Sequence, residues 1–342
     1  MALVFQDMVI SERGVRLSER EKSIITVAEF QLEERAEIIA KRVKLPSATV
    51  NYTLRKLIER ELIRPRCFIN SYQIGLQDIG FFFSLIEQTA EQRRLLVTRF
   101  KNHPQIAYFG SLLGDYQYVA VLLCKDLSDA AEILRSLTAQ SGDIVTHKKI
   151  VPRLGVERFT RKYLNTRLAT QRAFELRRIG PLYIMDEVDE KLVWVLGNRP
   201  FESMRELART TGLPLATVDR RIKNLRRAHV IQGFFYDINV VKLGIHSYRV
   251  LIEVQGLSCS VREALRKACK THALVTYLIE SLGSWDFEVG IETTDPRQVS
   301  RVIEELHVAS GRRIASSCVL MELEDYMCRH YPEKMGAGAH RL

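Results

Sequence analysis

Residues 45–50 read LPSATV, and residues 213–218 read LPLATV. The same offset of 168 carries Leu54 onto Ile222, Leu57 onto Leu225 and Ile63 onto Ile231. Further along, KNHPQIAYFGSLLGDYQY (101–118) returns as KTHALVTYLIESLGSWDF (270–287), and Asp126 returns as Asp295, with the offset grown to 169. A drift of one residue over so long a stretch means a duplicated unit with a small loop change. The unit is about half of the 342 residues. It is therefore a duplicated pair of domains and not a short solenoid repeat.

The first half of each unit reads as three helices and an extended segment. Ser18-Glu-Arg-Glu21 is a capping box that opens a helix through Ile24, Ile25 and Ala28. ERAEIIAKRV is a second helix, ended by a turn at Lys44-Leu45-Pro46, and Pro46 suits the entry to a third. That third helix aligns Val50, Leu54, Leu57 and Ile58 on one face. In the second copy Asp186 caps the first helix, SMRELARTT is the second and Gly212 ends it. Val218, Ile222 and Leu225 line the third, and VIQGFFYDI follows as a strand. This order is that of a winged helix-turn-helix, whose third helix enters the major groove. The face opposite the core carries Thr49, Asn51, Tyr52, Arg55 and Lys56 in the first copy. In the second it carries Thr217, Asp219, Arg220, Lys223 and Asn224, with Arg221 near the boundary. Arg, Lys and Asn are types that pair with base edges or phosphates. Asn51 and Tyr52 align with Asp219 and Arg220, so the two heads should read different bases and the site should be asymmetric.

The second half of each unit alternates strands and helices in the order βαββαβ, a ferredoxin-like layer with helices on one face. Phe81–Glu87 opens the first copy, a helix spans about 91–102, and Gly114-Asp115 joins two strands. In the second, Ser260-Val-Arg-Glu263 is read as a capping box, Gly283-Ser284 as the hairpin and Asp295-Pro296 as a helix start. An exposed sheet face invites pairing of the two α/β domains within one chain. The chain is thus α+β, two tandem units. A winged helix-turn-helix spans 1–72 and an α/β domain 73–158. A basic linker, read as a helical connector, spans 159–184. The second copies span 185–240 and 241–330, and a tail spans 331–342.

A formal net charge of +10 points to a polyanionic partner, here double-stranded DNA. The six cysteines include no C-x-x-C pair and no zinc spacing, so they read as free thiols of a reducing compartment. MALVFQDMVI lacks the pattern of a signal peptide, and no run approaches the ~18 apolar residues of a membrane span. A cytoplasmic protein without membrane contact is expected. No H-E-x-x-H, G-x-S-x-G or phosphate loop occurs, so neither metal, cofactor nor enzymatic activity is expected. His103 and His272 recur just after helices and read as polar caps.

The stretch from Asp186 to Gly244 resembles the N-terminal domain of the leucine-responsive/asparagine-synthase regulators (Lrp/AsnC). The likeness lies in the acidic start, A-x-x-x-G-L, the T-V-x-x-R-I-x-x-L helix, I-x-G-[FY] and L-G. The first copy follows the pattern more loosely, with Thr53-Leu54 for the Arg-Ile pair. The α/β halves resemble the family's amino-acid-sensing domain, through a G-x-[YW]-D turn kept as Gly283-Ser284-Trp285-Asp286. In Gly114-Asp115-Tyr116-Gln117 the acid is lost. The likeness covers about 17–330. It implies a sequence-specific DNA-binding transcriptional regulator, a homo-oligomer, and an amino acid effector bound near Gly114, Gly283 and Asp286. Siroheme decarboxylases are similar to this family too, and a tetrapyrrole enzyme using His246 and Arg249 is the alternative expectation.

Overall fold

The computed structural model describes residues 14–32, 36–86, 89–139, 144–201 and 203–333. The tail expected over 331–342 falls outside them beyond residue 333. In the first head, α1 (Glu19–Ala28), α2 (Ala36–Val43) and α3 (Ser47–Glu59) lead into β1 (Ile63–Ile69). The Ser18 capping box is formed, and Lys44 adopts a left-handed φ of 56° in the turn before α3. Val50, Leu54 and Leu57 are buried as expected, but Ile58 is exposed and Thr53 takes its place on the buried face.

The first α/β domain comprises β2 (Gln77–Leu85), α4 (Ala90–Asn102), β3 (Ile106–Leu113), β4 (Tyr118–Cys124), α5 (Leu127–Thr138) and β5 (Val145–Phe159). The basic linker is not a helix. It holds a single 3-10 turn at Lys162–Leu164 and a short strand, β6 (Ala173–Leu176), paired to the end of β5. The reason is Phe174. Extended backbone delivers its ring among Phe30 and Phe68, at 4.6 and 4.8 Å between centroids. The second head follows as α6 (Glu187–Asn198), α7 (Met204–Thr211), α8 (Leu215–Arg227) and β7 (Ile231–Ile238). Asp186 caps α6, and Gly212 ends α7 at φ 67°. The second α/β domain is β8 (His246–Val254), α9 (Cys259–Thr271), β9 (Val275–Ser281), β10 (Phe287–Thr293), α10 (Arg297–Ala309) and β11 (Ile314–Cys328). Helix α9 starts earlier than the expected capping box. Ser258 is its cap, and the Ser260 hydroxyl is 2.9 Å from that of Ser258.

The wing is not a hairpin within either head. β1 pairs antiparallel with β7, so the two heads share one ribbon made of a strand from each unit. Each core borrows from the other unit. Cys67 and Ile69 of β1 pack with Leu196, Val218 and Ile222 of the second head. Ile238 of β7 packs with Ile24, Val50 and Leu57 of the first.

The two α/β domains close on each other. The strand order is β2-β4-β3-β11-β8-β10-β9-β5, and β5 returns to β2, giving an eight-stranded ring with β6 attached. Closure leaves no free edge in the ring itself. The long strands β5 and β11 make the exchange. Ile150 of β5 faces Phe81 of its own unit, whereas Arg158 faces Tyr277 of the other. Likewise Val319 of β11 faces Val250 of its own unit, and Asp325 faces Gly110 of the other. Helices α4 and α5 cover the outer face of one half, and α9 and α10 that of the other. Inside, Phe82, Val119, Val151, Leu251, Trp285 and Leu320 join the two sheets. Among the described residues no helix is long and apolar enough to cross a membrane.

Candidate nucleic-acid interface

Helices α3 and α8 present their polar faces outward, one from each head. Both start directly after a proline, Pro46 or Pro214, which cannot donate a backbone hydrogen bond and sets the chain for helix entry. On α3, Asn51, Tyr52, Arg55 and Lys56 are exposed, Tyr52 to 61%. The Lys56 ammonium lies 5.9 Å from the Tyr52 ring and 2.8 Å from Glu59. Thr49 is half-buried, and its carbonyl accepts the Thr53 hydroxyl at 2.8 Å.

On α8, Arg220, Lys223 and Asn224 are exposed and Thr217 is half-buried. Lys223 pairs with Asp219 at 2.6 Å, one turn back. Arg221 is placed differently from the others. Its guanidinium turns inward to Asp186 at 2.6 Å and Asp189 at 3.3 Å, at the start of α6. It fastens α8 to α6 rather than facing outward. Arg227, at the last turn of α8, is exposed and donates to Asn224 at 3.4 Å. In the sequence it is the second of the basic pair Arg226-Arg227 that closes the helix.

The glycines of the two hairpins sit at φ 138° (Gly114) and φ 118° (Gly283), where a side chain is strained. A Cβ on Gly114 would also lie 2.8 Å from the Leu320 side chain, whereas one on Gly283 would meet nothing. The Asp286 carboxylate accepts the Val254 backbone N–H at 2.7 Å. Its counterpart, the Gln117 amide oxygen, accepts the Leu85 N–H at 3.0 Å. The position needs an acceptor for a strand end, not a charge, so loss of the acid in the first copy changes little. The aromatic residues of the two turns, Tyr116 and Trp285, come within 6.3 Å of each other.

His103 and His272 are the C-caps of α4 and α9. Each imidazole Nδ1 accepts a backbone N–H two residues on, from Gln105 at 3.3 Å and Leu274 at 3.1 Å. Burial lowers the pKa of both, which favours the neutral ring whose Nδ1 accepts, and leaves the Nε2 of His272 to donate toward Glu305 at 3.3 Å. His246 and Arg249 do not build a shared pocket. His246 is exposed at the start of β8, while Arg249 is buried and bound to Glu288 at 2.6 Å and Glu322 at 2.9 Å.

Residues 185–232 match a family model described as winged helix-turn-helix DNA-binding. The chain is 30% identical over 129 residues to the HTH-type transcriptional regulator FL11 of Pyrococcus furiosus, spanning 83% of that protein and 37% of this one. The chain belongs to the Lrp/AsnC family. A second relative, an uncharacterised HTH-type transcriptional regulator of Pyrococcus abyssi, is 23% identical and matched over 97% of its length, but over only 42% of this chain. One Lrp/AsnC relative therefore corresponds to a single unit here. Over the full length, the fold is similar to the siroheme decarboxylase NirDL solved with an iron-uroporphyrin III analogue. That match has a TM-score of 0.60 at 11% identity and covers 92% of this chain and 94% of that one. At that identity the likeness concerns the fold alone.

Proposed function

We propose that the chain is a transcriptional regulator that reads an asymmetric duplex DNA site through two unlike heads, one per unit. The observation that carries this is the pair of outward polar helix faces, on α3 and α8, fixed to one another by the shared β1–β7 ribbon. Asn51, Tyr52, Arg55 and Lys56 address one half-site, and Arg220, Lys223 and Asn224 the other. An amino acid or a related metabolite modulates the binding, in keeping with the family's α/β domain, and the protein works in the cytoplasm. It acts as a regulator and not as an enzyme.

A homo-oligomer is part of the same reading. Apolar side chains are exposed at matched positions in both units: Leu113 and Leu282, Ile150 and Val319, Leu154 and Leu323. Leu113 lies beside Met321 in the β3–β11 ladder, and the Leu282 N–H bonds the Pro152 carbonyl. Each patch therefore gathers where a long strand crosses between the sheets. Duplicated apolar surface of this kind favours self-association.

The test is selection of bound fragments from genomic DNA, with and without each amino acid, followed by affinity measurements across salt. Phosphate contacts require affinity to fall steeply as salt rises. Indifference to duplex of any sequence in dilute buffer would end this reading. The decarboxylase alternative predicts instead a Soret band on adding siroheme, and loss of its carboxylates as carbon dioxide.

A further inference from the structure

Two short segments tie the heads to the barrel, and each joins a head to the α/β domain of the other unit. The first, 160–165, leaves the end of β5. Arg161 donates from Nη1 and from its backbone N–H to the Glu29 carboxylate, at 2.8 and 2.7 Å, and Glu29 is the buried C-cap of α1 in the first head. The same guanidinium holds Glu292 of β10, in the second α/β domain, at 2.8 and 3.0 Å. Tyr163 donates to Glu292 at 2.5 Å, and the buried Lys162 ammonium to the Val275 carbonyl of β9 at 3.3 Å. Asn165 donates to the Ser23 hydroxyl of α1 at 3.0 Å.

The second segment, 329–333, leaves the end of β11. On the first α/β domain, the Arg329 N–H bonds the Ala107 carbonyl at 2.6 Å and the Glu333 N–H that of Pro104 at 2.8 Å. On the second head, the His330 N–H bonds the Gly197 carbonyl at 3.1 Å, and the Trp194 indole donates to the Glu333 carbonyl at 2.8 Å. Tyr331 is buried in that head's core. A Cβ on Gly197 would lie 2.4 Å from that of Tyr331, which accounts for a glycine within α6.

The repeat makes the two ties comparable. Its offsets carry Glu29 onto Gly197, Arg161 onto His330 and Glu292 onto Leu123. The ionic triad of the first tie is thus absent from the second, where a backbone bond joins His330 to Gly197. Side-chain exposure in the triad is 13% for Arg161, 7% for Glu292 and none for Glu29, so water cannot take the place of a lost partner. If either domain shifts, Arg161 must follow it or leave a buried carboxylate unpaired, which is costly. Packed, two-ended contacts of this kind are what carry coupling between distant parts of a protein.

We infer that Arg161 is the positioning residue of the first head and that control in this chain is crossed: the second α/β domain sets the first head, and the first α/β domain sets the second. The first link is ionic and the second is built from backbone bonds and Tyr331, so the heads answer unequally. The consequence for DNA rests on the regulator reading. The crossed linkage itself does not.

The experiment is hydrogen exchange of the full chain with matched cavities in the two α/β domains. Leu137 on α5 and Leu306 on α10 hold the same place in the repeat, and both are buried. Leu306→Ala should speed exchange in α1–α3 about tenfold more than in α6–α8, and Leu137→Ala should do the reverse. Glu29→Gln, Arg161→Met and Glu292→Gln together remove the triad without stranding either carboxylate. In that background Leu306→Ala should lose its effect on α1–α3, while Leu137→Ala keeps its effect on α6–α8. Should the triple variant not fold, Arg161→Lys takes its place, since one ammonium cannot grip both carboxylates, and the effect of Leu306→Ala should again fall. Loosening confined to the head of the same unit, equal loosening of both heads, or a Leu306→Ala effect undiminished by loss of Arg161 would each overturn the proposal. On a selected duplex with one half-site scrambled at a time, the triple variant should bind about tenfold more weakly through the first half-site and unchanged through the second. Indifference of the unmodified chain to any duplex would end the regulator reading, and the exchange result would still decide the crossed linkage.

Discussion

Arg153 of the first unit and Glu288 of the second form a bidentate ion pair inside the barrel, at 3.0 and 2.8 Å. Glu288 is fully buried. Burial pushes its carboxyl pKa up, but Arg153 and Arg249 outweigh that and hold it below the ordinary value. Arg153 also reaches Asp78 at 3.3 Å, so the network spans both units. The repeat places Glu322 opposite Arg153 and Val119 opposite Glu288, so the network is not symmetric. Two copies of the same half would bring like charges or none to this place. Arg153→Leu leaves a buried carboxylate short of a partner and should cost about 3–5 kcal/mol in urea unfolding. Joint replacement by apolar residues of similar volume should recover much of that. Equal losses in the single and joint variants would show that the pair does not matter as a pair.

The two recognition helices separate residues that read DNA from residues that hold the head. Arg55→Ala and Arg220→Ala should each weaken specific binding by about 1–3 kcal/mol, measured by fluorescence anisotropy. Each should relax discrimination in its own half-site only. Arg221→Ala should behave differently. It strands the buried Asp189 with Tyr183 as its remaining side-chain partner, at 2.8 Å, and should lower head stability by about 1–2 kcal/mol. At temperatures where the head stays folded, its affinity should be unchanged.

How much of this was legible follows from where the information resides. The repeat, the helices and their caps are local patterns, and Ser18, Asp186 and Gly212 act as their residue types dictate. Pairing across units is not local. Nothing within LIRPRCFI says that its partner is IQGFFYDI, more than 160 residues away, because either strand would also suit a hairpin. The linker was misread for a similar reason. Its charges resemble a solvated helix, and only the pocket between Phe30 and Phe68 explains Phe174. Arg221 sat at the edge of the polar face, where a few degrees decide between solvent and Asp186. Nothing in the sequence marks Arg153 and Glu288 as partners, since burial of an ion pair is visible only once both strands are placed.

The shared ribbon makes the heads interdependent. Ile238 belongs to the second unit but is buried in the core of the first head. Ile238→Ala should cost about 2–5 kcal/mol. Hydrogen exchange should report the loss in α1 and α3, with α6 and α8 less affected. The mirror change, Ile69→Ala, should loosen α6 and α8 instead. Loosening confined to the unit that carries each substitution would contradict the exchange of strands.

At the hairpin turns, Asp286 and Gln117 do one task, accepting the N–H of Val254 or Leu85. Asp286→Asn retains an acceptor and should shift stability by well under about 1 kcal/mol. Asp286→Ala leaves that N–H unsatisfied and should cost about 1–3 kcal/mol. Thermal melts decide the matter. A large loss in Asp286→Asn would mean that the charge itself is used.

His330 supplies a pH dependence of definite sign. Burial, with Arg66 and Arg158 adding to it, lowers its pKa to about 3 in the folded protein. An unfolded histidine titrates near ~6.5. The unfolded chain therefore takes up the proton first. The stability due to the neutral ring is complete above the unfolded value and is lost as pH falls through the window between the two. The slope from one proton is at most about 1.4 kcal/mol per pH unit. Urea unfolding across this window should be steeper in the unmodified protein than in His330→Gln, which cannot charge. Carboxylates titrate in both proteins, so their share cancels in the comparison. Parallel curves would mean that His330 is protonated within the fold, with Arg66 and Arg158 held further from it than the structure places them.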